Sequence, residues 1–189
     1  MSTMPPSESP SGVSSALTWL GLLVGGVGIA GSLYLSLGMD LIPCPLCYYQ
    51  RSFVMGATAV LALGLLSGAR RAVCVAGLAL PLAIAGAAVA GMHVYLEATG
   101  KLECPMGIRD IGSAPQQSLA ALGSLALLLL LATITSPQAS GGVLGVFAGL
   151  VLGAGIAYGC IVSAPKPTKP PKPYEGEIKT CRPPYVEVL

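Results

Sequence analysis

Residues 41–67 read LIPCPLCYYQRSFVMGATAVLALGLLS, and this stretch decides the class of the protein. Its first part is a short, proline-flanked turn carrying two cysteines. After Arg51 the chain runs on without a charge. A helix needs about 20 mostly apolar residues to cross a hydrocarbon layer about 30 Å thick, and the run from 47 to 67 is long enough. Working outward, segments 16–37, 72–96, 118–135 and 142–164 meet the same test. Glycine and proline inside them, such as Pro81, are tolerated because neighbouring helices and waters satisfy freed backbone groups. The predicted fold is an all-α integral membrane protein: a four-helix transmembrane bundle plus a fifth transmembrane helix.

Composition agrees. Of 189 residues, 53% are hydrophobic and only 10% charged, where soluble domains average about a quarter charged. A net charge of +2, with no basic run interleaved with aromatics, excludes a nucleic-acid partner and leaves lipid as the environment. The expected organisation is a disordered Ser/Pro-rich tail over 1–15, a four-helix bundle over 16–135, the fifth helix over 142–164, and a Pro-rich tail over 165–189 that carries Cys181. The first apolar segment is too long for a signal-peptide core and no Lys or Arg precedes it, so it reads as a retained helix. Gly145, Gly149 and Gly153 repeat at four-residue spacing, which either admits a closely packed helix or reflects a glycine-rich composition.

Orientation follows from Lys and Arg in short loops. Arg70 and Arg71 place the turn between the second and third helices, and the N-terminus, in the cytoplasm. The loops 38–46 and 97–117 and the tail after Ala164 then lie outside. Lys166, Lys169 and Lys172, just past the fifth helix, oppose this, but the long uncharged segment outweighs them. Cys44, Cys47, Cys104 and Cys181 fall on the outer, oxidising side, where disulfides persist.

A Cys-x-x-Cys pair closes a small, readily exchanged disulfide suited to electron transfer. Pro43 and Pro45 fix the backbone on both sides of Cys44. Cys47 falls at a helix start, whose free amides favour a thiolate there. Arg51 sits one turn further on the same face, beside Gln50; an arginine inside an apolar span stabilises the Cys47 thiolate, bonds an acceptor dissolved in the bilayer, or snorkels to the headgroups. No second Cys/His pair with zinc-ligand spacing exists, so no metal is expected, and Tyr48 stands where haem attachment needs histidine.

Pro-Cys-Pro-Leu-Cys-Tyr-Tyr-Gln-Arg between two spanning helices resembles the signature of the DsbB family of disulfide bond formation proteins. His93 near the outer end of the third helix, followed by Cys104 in the next outer loop, extends the resemblance over roughly 16–135. It implies a thiol oxidase of the bacterial inner membrane. A soluble DsbA-like thioredoxin-fold partner would pass electrons to a disulfide containing Cys104. Cys44–Cys47 would reoxidise that pair, and Cys47 would deliver the electrons to a membrane quinone (ubiquinone or menaquinone) in contact with Arg51. Gln50 and His93 would stand at the quinone end; a lone His on a helix is otherwise a packing residue.

The chain departs from the family's four-helix pattern by having no second cysteine after Cys104 in the outer loop. The expectation is a split pair, with Cys181 brought to Cys104 by the fifth helix and a semi-rigid Pro-rich connector. The alternative joins Cys160 to Cys181 as a structural bridge. Cys74, and equally Cys160, read as inert buried thiols. Glu97, Glu103, Arg109 and Asp110 read as a solvated loop face. Two competing functions are a thiol–quinone enzyme similar to vitamin K epoxide reductases, whose Cys-x-x-Cys normally lies late in the chain, and a non-enzymatic membrane protein with structural cysteines.

Overall fold

A computed structural model describes residues 12–66, 72–135, 139–165 and 176–185. Residues 1–11, Arg70 and Arg71, and the lysine-bearing connector 166–175 lie outside the described residues. Among the described residues there are five helices: α1 Gly12–Leu37, α2 Pro45–Leu66, α3 Ala72–Ala98, α4 Ala114–Ile134 and α5 Ala139–Ser163. All five contain a stretch long and apolar enough to cross a membrane. Their outer faces carry Trp19, Leu23, Val27, Leu63, Leu78, Phe147 and Val162 exposed, as lipid-facing helices require.

Four of the five helices start earlier than apolar run length predicts, α3 beginning at Ala72 as expected, because helical hydrogen bonding begins before the chain turns apolar. α1 begins at Gly12, inside the stretch expected to be disordered. α2 opens with Pro45, whose missing N–H would be unpaired in the first turn anyway. α4 begins at Ala114 behind a capping box: the Ser113 side chain accepts from the Gln116 amide, and the Gln116 side chain accepts from the Ser113 amide.

α3 is the central helix, packed on α2, α4 and α5, while α1 packs on α4 and α2. Its Ala76, Ala79, Ala83 and Ala90 are fully buried, and these small side chains let neighbouring backbones come close enough for dispersion contacts to hold helices together in lipid. Leu61, Leu122, Leu125 and Leu129 fill the space between. The glycine repeat in α5 serves the same end at two of its three positions. A Cβ at Gly149 would lie 3.1 Å from Leu80, and one at Gly153 would lie 2.8 Å from the Pro81 carbonyl oxygen. Gly145 faces nothing within 4 Å.

At one end of the bundle the Ser14 hydroxyl donates to the Ala132 carbonyl (2.9 Å), tying α1 to α4. At the other end the 38–44 loop, the 99–113 loop and the tail after α5 meet. The Ile42 amide donates to the Lys179 carbonyl (2.8 Å), and Glu103 and Arg182 exchange two backbone bonds (2.7 and 3.0 Å). Lys179 pairs with Asp40 at 2.7 Å, fully in solvent. Glu103 is therefore engaged by the tail, and Glu97 accepts from the Ser113 hydroxyl (2.6 Å), so neither is an idle member of a solvated loop face.

Gly153→Val forces a side chain into the α3 backbone and is expected to cost about 1–3 kcal/mol by overpacking. Gly145→Val, facing open space, is expected to cost much less. Unfolding in detergent followed by circular dichroism compares the two.

Candidate redox site

The site is assembled where α2 begins. Cys44 immediately precedes the helix, and its Sγ takes the capping bond from the Cys47 amide at 3.4 Å. The start of the helix therefore favours a thiolate on Cys44, not on Cys47, because the free amide points backwards onto the preceding sulfur. The two sulfurs lie 3.0 Å apart and both are free thiols. The Cys44 thiol is lowered to about 4, chiefly by the hydrogen bond from the Cys47 side chain and further by His93, against the opposing cost of burial.

His93 reaches this point from α3 and is completely buried. Its Nε2 lies 3.8 Å from Cys44 Sγ and 3.5 Å from Cys104 Sγ. On the far side of the ring, Nδ1 lies 3.1 Å from Gln50 Nε2, and the Ser118 hydroxyl donates to Gln50 Oε1 at 2.7 Å.

Cys104 is joined to Cys181 by a disulfide spanning 77 positions of sequence. Cys160 remains a free thiol packed against the same apolar cluster as Cys44 and Cys181. Cys74 is free and exposed, in contrast to the buried position expected of it. The Cys181 sulfur falls within 4.8 Å of the donor atoms of Cys44, Cys47 and His93. That grouping has the ligand types of a zinc centre, which sequence spacing alone did not suggest, but the disulfide removes the thiolate Cys181 would need.

Behind Cys47 a cavity of about 510 Å³ opens between α1 and α4. Val27, Gly31, Leu35 and Ala121 give it apolar walls, while Cys47 and Arg51 supply the reactive and charged groups. Arg51 donates from Nε to the Ser32 hydroxyl (3.0 Å) and from Nη2 to the Ser32 carbonyl (2.9 Å) and the Ser36 hydroxyl (2.6 Å). α1 thus holds the guanidinium at the cavity wall, and those three bonds leave Nη1 for another acceptor. Gln50 lines the cavity, whereas His93 meets Gln50 on one side of its ring and the sulfurs on the other.

Sequence reasoning missed Ser118, Ser32 and Ser36. Serines are ordinary in membrane helices, and Ser118 meets Gln50 across 68 positions of sequence, so no local pattern could reveal it.

A helical membrane bundle with a dithiol, a neighbouring disulfide and an apolar cavity behind them defines a membrane protein of thiol–disulfide oxidation. Residues 14–125 match the family model described as "Disulfide bond formation protein DsbB". The chain is 34% identical over 100 residues to "Disulfide bond formation protein B 2" of Burkholderia lata, covering 51% of this chain and 59% of that protein. It is 31% identical over 140 residues to "Probable disulfide formation protein" of Metapseudomonas resinovorans, covering 68% and 95%. It is 33% identical over 98 residues to "Disulfide bond formation protein B 1" of Pseudomonas fluorescens, covering 50% and 58%. The first and third alignments thus span less than two thirds of those relatives. No solved structure matches the chain. The chain belongs to the DsbB family of disulfide bond formation proteins.

In a background with Cys74 and Cys160 replaced by Ala, the ultraviolet absorbance of the Cys44 thiolate is expected to persist as pH falls until about 4. Cys47→Ala removes the largest cause of the lowered value, so the titration is expected to move up toward the ordinary thiol range.

Proposed function

We propose that the protein is a quinone-dependent protein-disulfide oxidoreductase of the bacterial cytoplasmic membrane. A soluble DsbA-like thioredoxin-fold protein is its electron donor, and a membrane quinone, ubiquinone or menaquinone, is its acceptor. The observation that carries this reading is the stacking of the Cys104–Cys181 disulfide on the Cys44–Cys47 pair, with an apolar cavity directly behind Cys47. Cys104, Cys181, Cys44 and Cys47 are the catalytic residues, with Arg51 and Gln50 at the acceptor site.

The partner's thiolate attacks Cys104, which lies on the loop side of the disulfide, and releases Cys181 next to the Cys44–Cys47 pair. Exchange leaves the partner oxidised and Cys44 and Cys47 reduced. The observed pairing matches this stage: Cys104–Cys181 closed, Cys44 and Cys47 as thiols. To finish the cycle, the Cys44 thiolate and the Cys47 thiol would close the Cys44–Cys47 bond, giving up two electrons and the Cys47 proton to the acceptor, which takes its second proton from solvent.

The cavity fits a quinone. Its walls are apolar, it lies between two lipid-facing helices, and Arg51 offers a cation that pairs with an anionic oxygen. When bound, the quinone supplies the capacity for two electrons and two protons. The lysine/arginine preference for cytoplasmic loops, applied to Arg70 and Arg71 between the second and third spans, supports an extracytoplasmic redox end. With the reactive pair early in the chain, between α1 and α2, the vitamin K epoxide reductase-like reading is the less favoured one.

With purified protein, quinone and a reduced thioredoxin-fold partner, Cys47→Ser is expected to abolish quinone reduction. Cys181→Ser is expected to stop turnover with the partner while protein reduced by dithiothreitol still reduces quinone. Normal turnover of Cys181→Ser would remove the tail from the mechanism. Arg51→Gln is expected to raise the KM for quinone by roughly 10–100-fold, the loss of a hydrogen bond to a charged group worth about 1.5–3 kcal/mol.

A further inference from the structure

His93 is the only histidine in the chain, and both sides of its ring are committed. Gln50 Oε1 accepts from the Ser118 hydroxyl, so the Gln50 amide nitrogen faces His93 as a donor and Nδ1 must accept. A neutral ring then carries its proton on Nε2. The opposite side gives the same answer independently. Cys104 is in a disulfide and has no S–H, so a hydrogen bond between its sulfur and Nε2 at 3.5 Å can only be donated by the ring. The same Nε2 also meets Cys44 Sγ at 3.8 Å. Two sulfurs from two different redox pairs share one fixed donor.

We propose that His93, fixed as its Nε2–H tautomer by the Ser118–Gln50 chain, is the common hydrogen-bond donor to the attacking and leaving sulfurs in the step that regenerates the Cys104–Cys181 disulfide. This rests on the relay proposed above. Cys181 first attacks Cys44 of the oxidised pair, forming a Cys181–Cys44 bond and releasing Cys47. The Cys104 thiolate, freed when the partner leaves oxidised, then attacks Cys181. The Cys104–Cys181 bond forms, the Cys181–Cys44 bond breaks, and Cys44 departs as a thiolate. One negative charge enters at Cys104 and leaves at Cys44, no proton moves, and the number of disulfides is unchanged.

Both ends of that displacement lie at Nε2. The donor therefore follows the charge from one sulfur to the other without rotating, in a buried site where a fixed dipole is worth more than it is in water. The depressed Cys44 thiol fits the role of leaving group, since a thiol of low pKa leaves faster. His93 touches the reacting sulfurs. Gln50 and Ser118 are positioning residues that act through it, and nothing in the local sequence marks Ser118 for that task.

A single histidine makes the tautomer directly readable. In protein labelled with ¹⁵N-histidine, the parent is expected to show one protonated nitrogen, Nε2, and one bare nitrogen, Nδ1. Ser118→Ala is expected to average the two, and Ser118→Thr to restore the parent spectrum. In acid-quenched, alkylated samples taken after mixing with the reduced partner, the Cys44–Cys181 peptide is expected to resolve at least about tenfold more slowly in Ser118→Ala and in His93→Leu. Ser118→Thr is expected to recover the parent rate, and His93→Gln, which keeps a side-chain N–H, part of it. Cys104→Ser tests the underlying relay separately, because the Cys44–Cys181 bond should then form and persist. Its failure to form would overturn relay and donor together. If it forms, a proton on Nδ1 in the parent, or resolution at the parent rate in Ser118→Ala, overturns the donor proposal alone.

Discussion

The Cys104–Cys181 disulfide is the constraint on which the arrangement of the redox end depends. It joins the loop between α3 and α4 to a segment beyond α5, elements with no other covalent tie across 77 positions. Noncovalent contacts on either side point the same way: the Glu103–Arg182 backbone pair beside it, and the Ile42–Lys179 bond to the first loop. Together they lay the tail across both loops and set a fourth sulfur against Cys44, Cys47 and His93. None of this works unless α5 is seated on the bundle, and that depends on Gly149 and Gly153 letting it approach Leu80, Pro81 and Ile84 of α3.

Within the site, roles are divided by local backbone geometry more than by residue type. Cys44 and Cys47 are chemically identical, yet only Cys44 lies where the Cys47 amide in the first turn of α2 and the His93 ring can both reach it. Cys47 instead borders the cavity, a turn before Arg51. A proline immediately after Cys44 starts the helix at that point, so the division is written into the order Pro-Cys-Pro-Leu-Cys. Two equal thiols become one sulfur for exchange and one for delivery.

Much of the fold was legible because lipid imposes a single strong rule: spans must be long, apolar and uncharged. The five helices and the grouping of the first loop with Arg51 and Gln50 follow from it. Helix starts were read late because apolarity marks where a helix enters hydrocarbon, not where its hydrogen bonding begins. The Ser113-x-x-Gln116 box, with Pro115 inside it, was the available signal. The even choice between a packing role and mere composition for the α5 glycines could be resolved only in three dimensions, where Gly145 proved idle and its two successors did not. That His93 meets two sulfurs on one side of its ring and Gln50 on the other could be seen only in three dimensions. The preference for a Cys47 thiolate failed because a helix-start amide serves the residue before it as readily as the one that carries it.

Placing Cys181 beyond α5 also sets an order of assembly. A chain is inserted from its N-terminus, so α1 to α4, with Cys44, Cys47, Cys104 and His93, are in place before the residue that completes the second pair has been synthesised. A product that stops within α5 would retain the Cys-x-x-Cys pair and the cavity but have no partner for Cys104. Assembly of the second disulfide is thus coupled to synthesis past α5 and to correct seating of that helix, a dependence absent when both cysteines of a pair share one loop.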